Sequence, residues 1–130
     1  MSFHNSYYNG DGMLEFCHTY EYDSAGQMIK FSYYDGDGTL SSYTTYEYDF
    51  KGREIKSSDY DGDGTLTNYT IYEYDYADRD RKWRYYDGDD ALTGYTTFEY
   101  DSAGERTRIH EYDGNFVLQA TYDGDGNLIS

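Results

Sequence analysis

Proline is absent from this 130-residue chain and cysteine occurs once. The lone Cys17 excludes an internal disulfide framework, and at a strand position it reads as a packed or exposed thiol rather than a nucleophile. Branched aliphatic residues are nearly as scarce: one valine, six leucines and five isoleucines stand against 20 tyrosines. So little aliphatic bulk excludes an ordinary globular core. Basic residues are few too, ten Lys and Arg against 26 Asp and Glu, for a net charge of −16. Nucleic acid is thereby excluded as a partner, because phosphates would be repelled and no basic patch exists to hold them. No apolar run reaches membrane-spanning length, so membrane insertion is not expected. The opening Met-Ser-Phe-His-Asn-Ser-Tyr-Tyr has neither the basic stretch nor the apolar centre of a signal peptide. Low aliphatic content with high charge is ordinarily a mark of disorder.

What is present argues the other way. Written at an interval of 26 residues the chain aligns with itself: Leu14, Leu40, Leu66, Leu92 and Leu118 form one column, and Tyr20, Tyr46, Tyr72 and Phe98 another. Glu21, Glu47, Glu73 and Glu99 form a third column, and Lys30, Lys56, Lys82 and Arg108 a fourth. Each unit carries two turn words of the form Tyr-Asp-x-x-Gly, such as Tyr48-Asp49-Phe50-Lys51-Gly52 and Tyr60-Asp61-Gly62-Asp63-Gly64. Stacked repeats can bury jointly what one unit could not bury alone. Asp bonds its own downstream backbone and Gly supplies positive φ, so each word reads as a tight turn.

Two turns per repeat imply two strands per repeat, and the Thr- and Tyr-rich segments between them suit a pleated surface. The fold class is all-β: tandem antiparallel β-hairpins forming a twisted meander or a β-solenoid-like array. Strands are predicted near 2–8, 13–22, 27–34, 39–48, 53–60, 65–74, 79–86, 91–100, 105–112 and 116–122. The whole of 1–130 reads as one repeat array, with a half repeat at 1–8, repeats at about 9–34, 35–60, 61–86 and 87–112, and a shortened last unit at 113–130. The opening in mid-repeat fits either a short protein or a cut from a longer array.

Pairing Tyr48 with Arg53 across one turn and Tyr60 with Thr65 across the other keeps the two faces of the sheet consistent along the chain. One face then collects Leu40, Tyr46, Tyr48, Ile29, Ile55, Ile109, Phe31, Trp83, Tyr33 and Tyr85. The other collects Thr45, Glu47, Glu54, Lys56 and Ser58, with Tyr43 and Tyr60 among them. Ten strands at about 4.8 Å and ten residues at about 3.3 Å make an apolar face of roughly 1,600 Å², far beyond what a soluble monomer exposes. That face must be covered, by coiling of the sheet or by a second copy. Self-association into a homo-oligomer or filament, with Trp83 buried, is therefore expected.

These words resemble the YD repeat, also called the RHS repeat, of bacterial surface and toxin-delivery proteins. Tyr48-Asp49-Phe50-Lys51-Gly52-Arg53 fits its Tyr-Asp-x-x-Gly-Arg pattern most fully. The resemblance implies β-hairpins that serve as scaffold rather than catalyst. It also implies a bacterial protein working at the cell surface or extracellularly. Glu54, Asp80 and Arg106 stand where that family has an apolar residue, and Asp78 and Asp90 replace turn glycines. The chain is too short to close a toxin-enclosing shell, so encapsulation does not carry over.

Two chemistries remain to be weighed. Hard oxygens in glycine-rich turns suit calcium, and stacking would bring Asp35 and Asp37 near Asp61 and Asp63, and those near Asp87 and Asp89. An EF-hand is excluded, since the twelfth position counted from Asp59 is Thr70 rather than Glu. These six aspartates are the candidate metal ligands, against plain turn chemistry. Rows of exposed tyrosine beside acids could instead bind polysaccharide, as an adhesive surface module would. An enzyme is not expected: His4, His18 and His110 occupy different registers, and identical columns cannot supply the two unlike carboxylate environments that acid–base catalysis needs.

Overall fold

The computed structural model describes the backbone of residues 2–8, 10, 12 and 14–130, and side chains at 10, 12 and from Cys17 onward. The strands are β1 (Ser2–Tyr8), β2 (Leu14–Tyr22), β3 (Met28–Asp35), β4 (Leu40–Tyr48), β5 (Glu54–Asp61), β6 (Leu66–Tyr74), β7 (Asp80–Asp87), β8 (Leu92–Tyr100), β9 (Arg106–Asp113) and β10 (Leu118–Asp123). No helix occurs among the described residues. The expected all-β hairpin meander is therefore what the chain adopts, with strand ends within two residues of those read from the sequence. Two compact units divide it, Met1–Tyr69 and Thr70–Ser130, with β6 passing from the first into the second. In the first unit β1 to β5 pair antiparallel in chain order. In the second, β7 to β10 do the same.

Every described turn word folds the same way. In the Asp49 turn the Gly52 N–H donates to Asp49 O at 3.0 Å, and the Asp49 N–H donates to Arg53 O at 2.9 Å. The Asp35, Asp61, Asp87 and Asp101 turns repeat both bonds. The fifth residue of the word must sit in the left-handed region, with φ 82° at Gly52 and 83° at Gly64. Where glycine is missing, Asp78 (φ 63°), Asp90 (φ 66°) and Phe116 (φ 67°) adopt that conformation regardless.

The turn is one residue longer than the pairing read from the sequence, and a second irregularity follows it. Tyr48 faces Glu54 rather than Arg53, and the next pair, Glu47 with Lys56, skips Ile55. The β3–β4 hairpin behaves alike: Tyr34 faces Leu40, then Tyr33 faces Ser42. Two one-residue shifts restore parity. Beyond the bulges the expected faces hold: Tyr43 faces Tyr60, Thr45 faces Ser58 and Glu47 faces Lys56. Within the bulge they do not. Glu54, assigned to the wet face, pairs with Tyr48, and desolvation holds its carboxyl above the usual glutamate range.

Neither face carries a core. Among the described residues no large side chain is fully buried; the buried ones are small: Cys17, Ser32, Ser58, Thr96 and Thr121. Ser32 stands opposite Tyr43, whose ring receives the Lys30 ammonium at 4.5 Å, so a small residue lies beneath a charged and aromatic cover. On the other face His18, Tyr20, Phe31 and Tyr33 of the first unit pack ring against ring at 4.4 to 6.3 Å. Trp83 lies between Tyr72 (5.6 Å) and Phe98 (4.9 Å). It is half-buried in the single chain.

A phenylalanine in the left-handed region costs roughly 1–2 kcal/mol that glycine does not incur. Phe116→Gly should therefore raise stability by about 1 kcal/mol, less what is lost from the Tyr95 contact at 5.7 Å. Chemical denaturation checks this, and an unchanged or lower midpoint would show that the ring contact outweighs the strain.

Candidate functional site

Of the six candidate metal ligands, Asp35, Asp61 and Asp87 end strands and Asp37, Asp63 and Asp89 lie in the turns that follow, and the first aspartate of each word serves the backbone. Asp35 Oδ1 accepts from the N–H of Asp37 (3.2 Å) and Thr39 (3.1 Å). Asp61 Oδ1 accepts from Asp63 (2.9 Å) and Thr65 (3.1 Å), and Asp87 Oδ1 from Asp89 (2.9 Å) and Ala91 (3.0 Å). Asp37 Oδ1 adds a bond from the Thr39 N–H at 2.8 Å. Hydrogen bonding with Asp35, then with Thr39, lowers the Asp37 pKa. Among the described residues no three His, Cys, Asp or Glu side chains converge as a metal ion requires.

On the opposite rim the turns carry an ion pair and a tyrosine tie. Arg53 Nε lies 2.8 Å from Asp49 Oδ2, and Arg79 Nε 2.9 Å from Asp75 Oδ2. Desolvation raises the Asp49 and Asp75 pKa values, but hydrogen bonds from backbone and guanidinium N–H groups, with the arginine charge, outweigh it and hold both low. The Tyr48 hydroxyl donates to Met28 O at 2.6 Å, and the Tyr100 hydroxyl to Asp80 O at 2.7 Å. Both acceptors are main-chain carbonyls, which is why the residue there can vary from Met28 to Asp80 without loss of the tie. Desolvation first, then nearby carboxylates, raises the pKa of both tyrosines.

The tyrosines of the other word stack. Tyr43 and Tyr60 lie 4.7 Å apart at 13°, and Tyr95 and Tyr112 4.5 Å apart at 12°. Lys30 caps Tyr43 at 4.5 Å, Lys56 caps Tyr69 at 4.6 Å and Lys82 caps Tyr95 at 4.4 Å. Sequence reading placed these residues on one face but missed the lysine–tyrosine contact, which is diagonal across the ladder.

His4 lies outside the residues whose side chains are described; His18 packs on Tyr33 at 4.4 Å in the first unit. His110, in the second, bonds Glu99 Oε2 (2.6 Å) and Thr121 Oγ1 (3.1 Å).

One concavity stands out in the second unit, an open cavity of about 480 Å³ bordered by Tyr85, Gly94, Thr96, Glu111, Asp113 and Gln119. Tyr85 faces Gly94 across one ladder, Gly94 faces Asp113 across the next, and Thr96 faces Glu111. Gly94 is buried, and a Cβ there would come 2.6 Å from Tyr112 O. Its signal was available in the sequence: Gly94 is the one glycine outside the turn words.

No family model matches the sequence, and no curated protein matches it. Among solved structures, the chain is similar to a protein of unknown function from Bacteroides fragilis NCTC 9343, with TM-score 0.50 and 15% identity over 95% of this chain and 91% of that one. It is also similar to a porin-like protein from Bacteroides uniformis ATCC 8492, with TM-score 0.48 and 16% identity over 95% of this chain and 54% of that one. A third match is the Tc holotoxin pore of Photorhabdus luminescens, with TM-score 0.33 and 15% identity over 92% of this chain and 9% of that one. At such identities a likeness concerns fold alone, and only the first reaches a score that supports even that.

Because the Oδ1 atoms of the first turn aspartates already accept two N–H groups each, chelation should leave the melting temperature unchanged. A rise on adding calcium would show instead that neighbouring turns share ions. Acid should act differently. Asp49 and Asp75 have folded pKa values below the ordinary 3.8, so their stabilisation is complete above that value and is lost as pH falls through the folded pKa. The melting temperature should drop below about pH 4, and Asp49→Asn with Asp75→Asn should flatten that drop. An acid limb unaltered in the double variant would assign it to other carboxylates.

Proposed function

We propose that the chain is a non-enzymatic structural module of YD type that works by associating with copies of itself. The observation that carries this reading is a sheet without a covered core among the described residues: none of their large side chains is fully buried, and Ile29 and Tyr33 remain 38% and 36% exposed. In the first unit β2 to β5, four strands at about 4.8 Å and nine residues at about 3.3 Å, present roughly 570 Å² on the face that holds Ile29, Phe31 and Tyr33. That area approaches the roughly 800 Å² per partner of a standard interface. A second copy supplies the matching aromatic surface, as two sheets packed about 10 Å apart would.

A scaffold role also accords with the chemistry of the repeats. The acids of the turns are consumed by turn bonds, and the tyrosines tie or stack one strand on the next. Neither arrangement sets apart a nucleophile or a general base. The likeness of the turn words to YD repeats, together with the acidic composition, supports a bacterial protein acting at the cell surface or beyond it.

Sedimentation velocity tests the self-association. The wild-type protein should show a dimer or larger species that grows with concentration, and Ile29→Asp should shift it to monomer while its hairpin circular dichroism stays intact. A wild-type chain that remains monomeric at about millimolar concentration would refute the association.

A further inference from the structure

We propose that the Gly94 notch of the second unit is a saccharide-binding site that seats one ring of a neutral glycan. The second unit departs there from the pattern of the first in three linked places. In the first unit the corresponding row across three strands is Tyr33, Ser42 and Asp61, and the next row pairs Thr44 with Asp59. Ser42 occupies the middle of that row, and the Thr44 hydroxyl donates to Asp59 Oδ1 at 2.6 Å, which uses the carboxylate.

In the second unit the middle residue is Gly94, buried where a Cβ would come 2.6 Å from Tyr112 O, so no side chain stands between Tyr85 and Asp113 in that row. The Thr96 hydroxyl bonds the Tyr85 hydroxyl at 2.8 Å instead of a carboxylate, which fixes the Tyr85 ring as one wall. Glu111 takes only the Tyr122 hydroxyl, at 3.3 Å on one of its two oxygens. Tyr85 and Asp113 are two strand spacings apart, about 9.6 Å, and the open cavity of about 480 Å³ lies between them.

An aromatic wall, a row with no side chain at its middle and a carboxylate with acceptor capacity to spare are what a sugar ring needs. Its apolar C–H face packs on the ring while vicinal hydroxyls donate to the carboxylate. Gln119 adds an amide at the rim, its Nε2 held by Asp113 Oδ2 and Val117 O, both at 3.0 Å. No main-chain group is offered to an extended peptide, because the backbone polar groups of β8 are spent on β7 and β9.

The notch is built from second-unit residues and the association face from first-unit residues, so the two proposals rest on different observations and either can fail alone. Calorimetric titration of the intact chain with cellohexaose, maltohexaose, laminarihexaose and chitohexaose tests it. At least one should bind, and Tyr85→Ala and Glu111→Gln should each weaken that binding about tenfold or more. Tyr76→Ala, at an exposed tyrosine of the β6–β7 turn, should change it less than about twofold. Glu111 is exposed, so the isosteric glutamine keeps the fold even where Tyr85→Ala does not. Absence of binding by all four sugars at about 5 mM overturns the proposal. So does binding that survives Glu111→Gln, and so does binding confined to a lysine-rich peptide and abolished by salt, which would make the notch a cation site.

Discussion

A single carboxylate oxygen accepting two backbone N–H groups is the interaction on which the rest of this structure depends. At each described turn word the aspartate Oδ1 takes the N–H two residues on and the N–H four residues on, as at Asp23 (2.9 and 2.9 Å), Asp101 (2.9 and 2.9 Å) and Asp123 (3.0 and 2.9 Å). Donors that a tight turn would leave to solvent are thereby satisfied within five residues. The chain reverses at each word by local chemistry alone, which is why hairpins form without a hydrophobic core to enforce them. The same bonds restrict the acids as metal ligands, since the oxygen aimed at the loop is already engaged.

Once the turns are set, the tyrosine before each aspartate determines how neighbouring turns relate. On one rim it reaches back to the carbonyl that opens the preceding strand, as Tyr48 and Tyr100 do. On the other it stacks on a cross-strand tyrosine under a lysine, as Tyr60 and Tyr112 do. Aromatic rings serve where leucine would not, because a ring can cover a small residue, as Tyr43 does opposite Ser32, and a phenol hydroxyl can tie to backbone, as Tyr48 does to Met28 O. The outcome in each unit is a thin sheet with wide rings on both sides and little buried volume. A protein of that kind gains most from contact with something else, and this links the absent core to both the association and the glycan readings.

Much of the architecture was legible in the letters, and its failures are instructive. Strand limits, chain-order pairing and the two faces followed from the 26-residue interval and from parity. Parity survived only because the left-handed residue of the turn and the bulge at Ile55 shift the register by one each. Glu54 shows the cost of missing them, since it sits within the bulge and pairs with Tyr48. Gly94 was equally visible, yet its meaning was not: a glycine in a strand marks a gap only when the residues around it are known to line one.

The sequence by itself determined the turns, the strands and their order, because each depends on interactions spanning no more than one hairpin. Only the tertiary structure decided which side chains are covered, since burial depends on diagonal contacts such as Lys30 on Tyr43 that no column alignment expresses. It likewise decided that Tyr85, Gly94 and Glu111 border one space. Those outcomes depend on directions and distances across two or three strands, where a one-residue bulge reverses what a side chain meets.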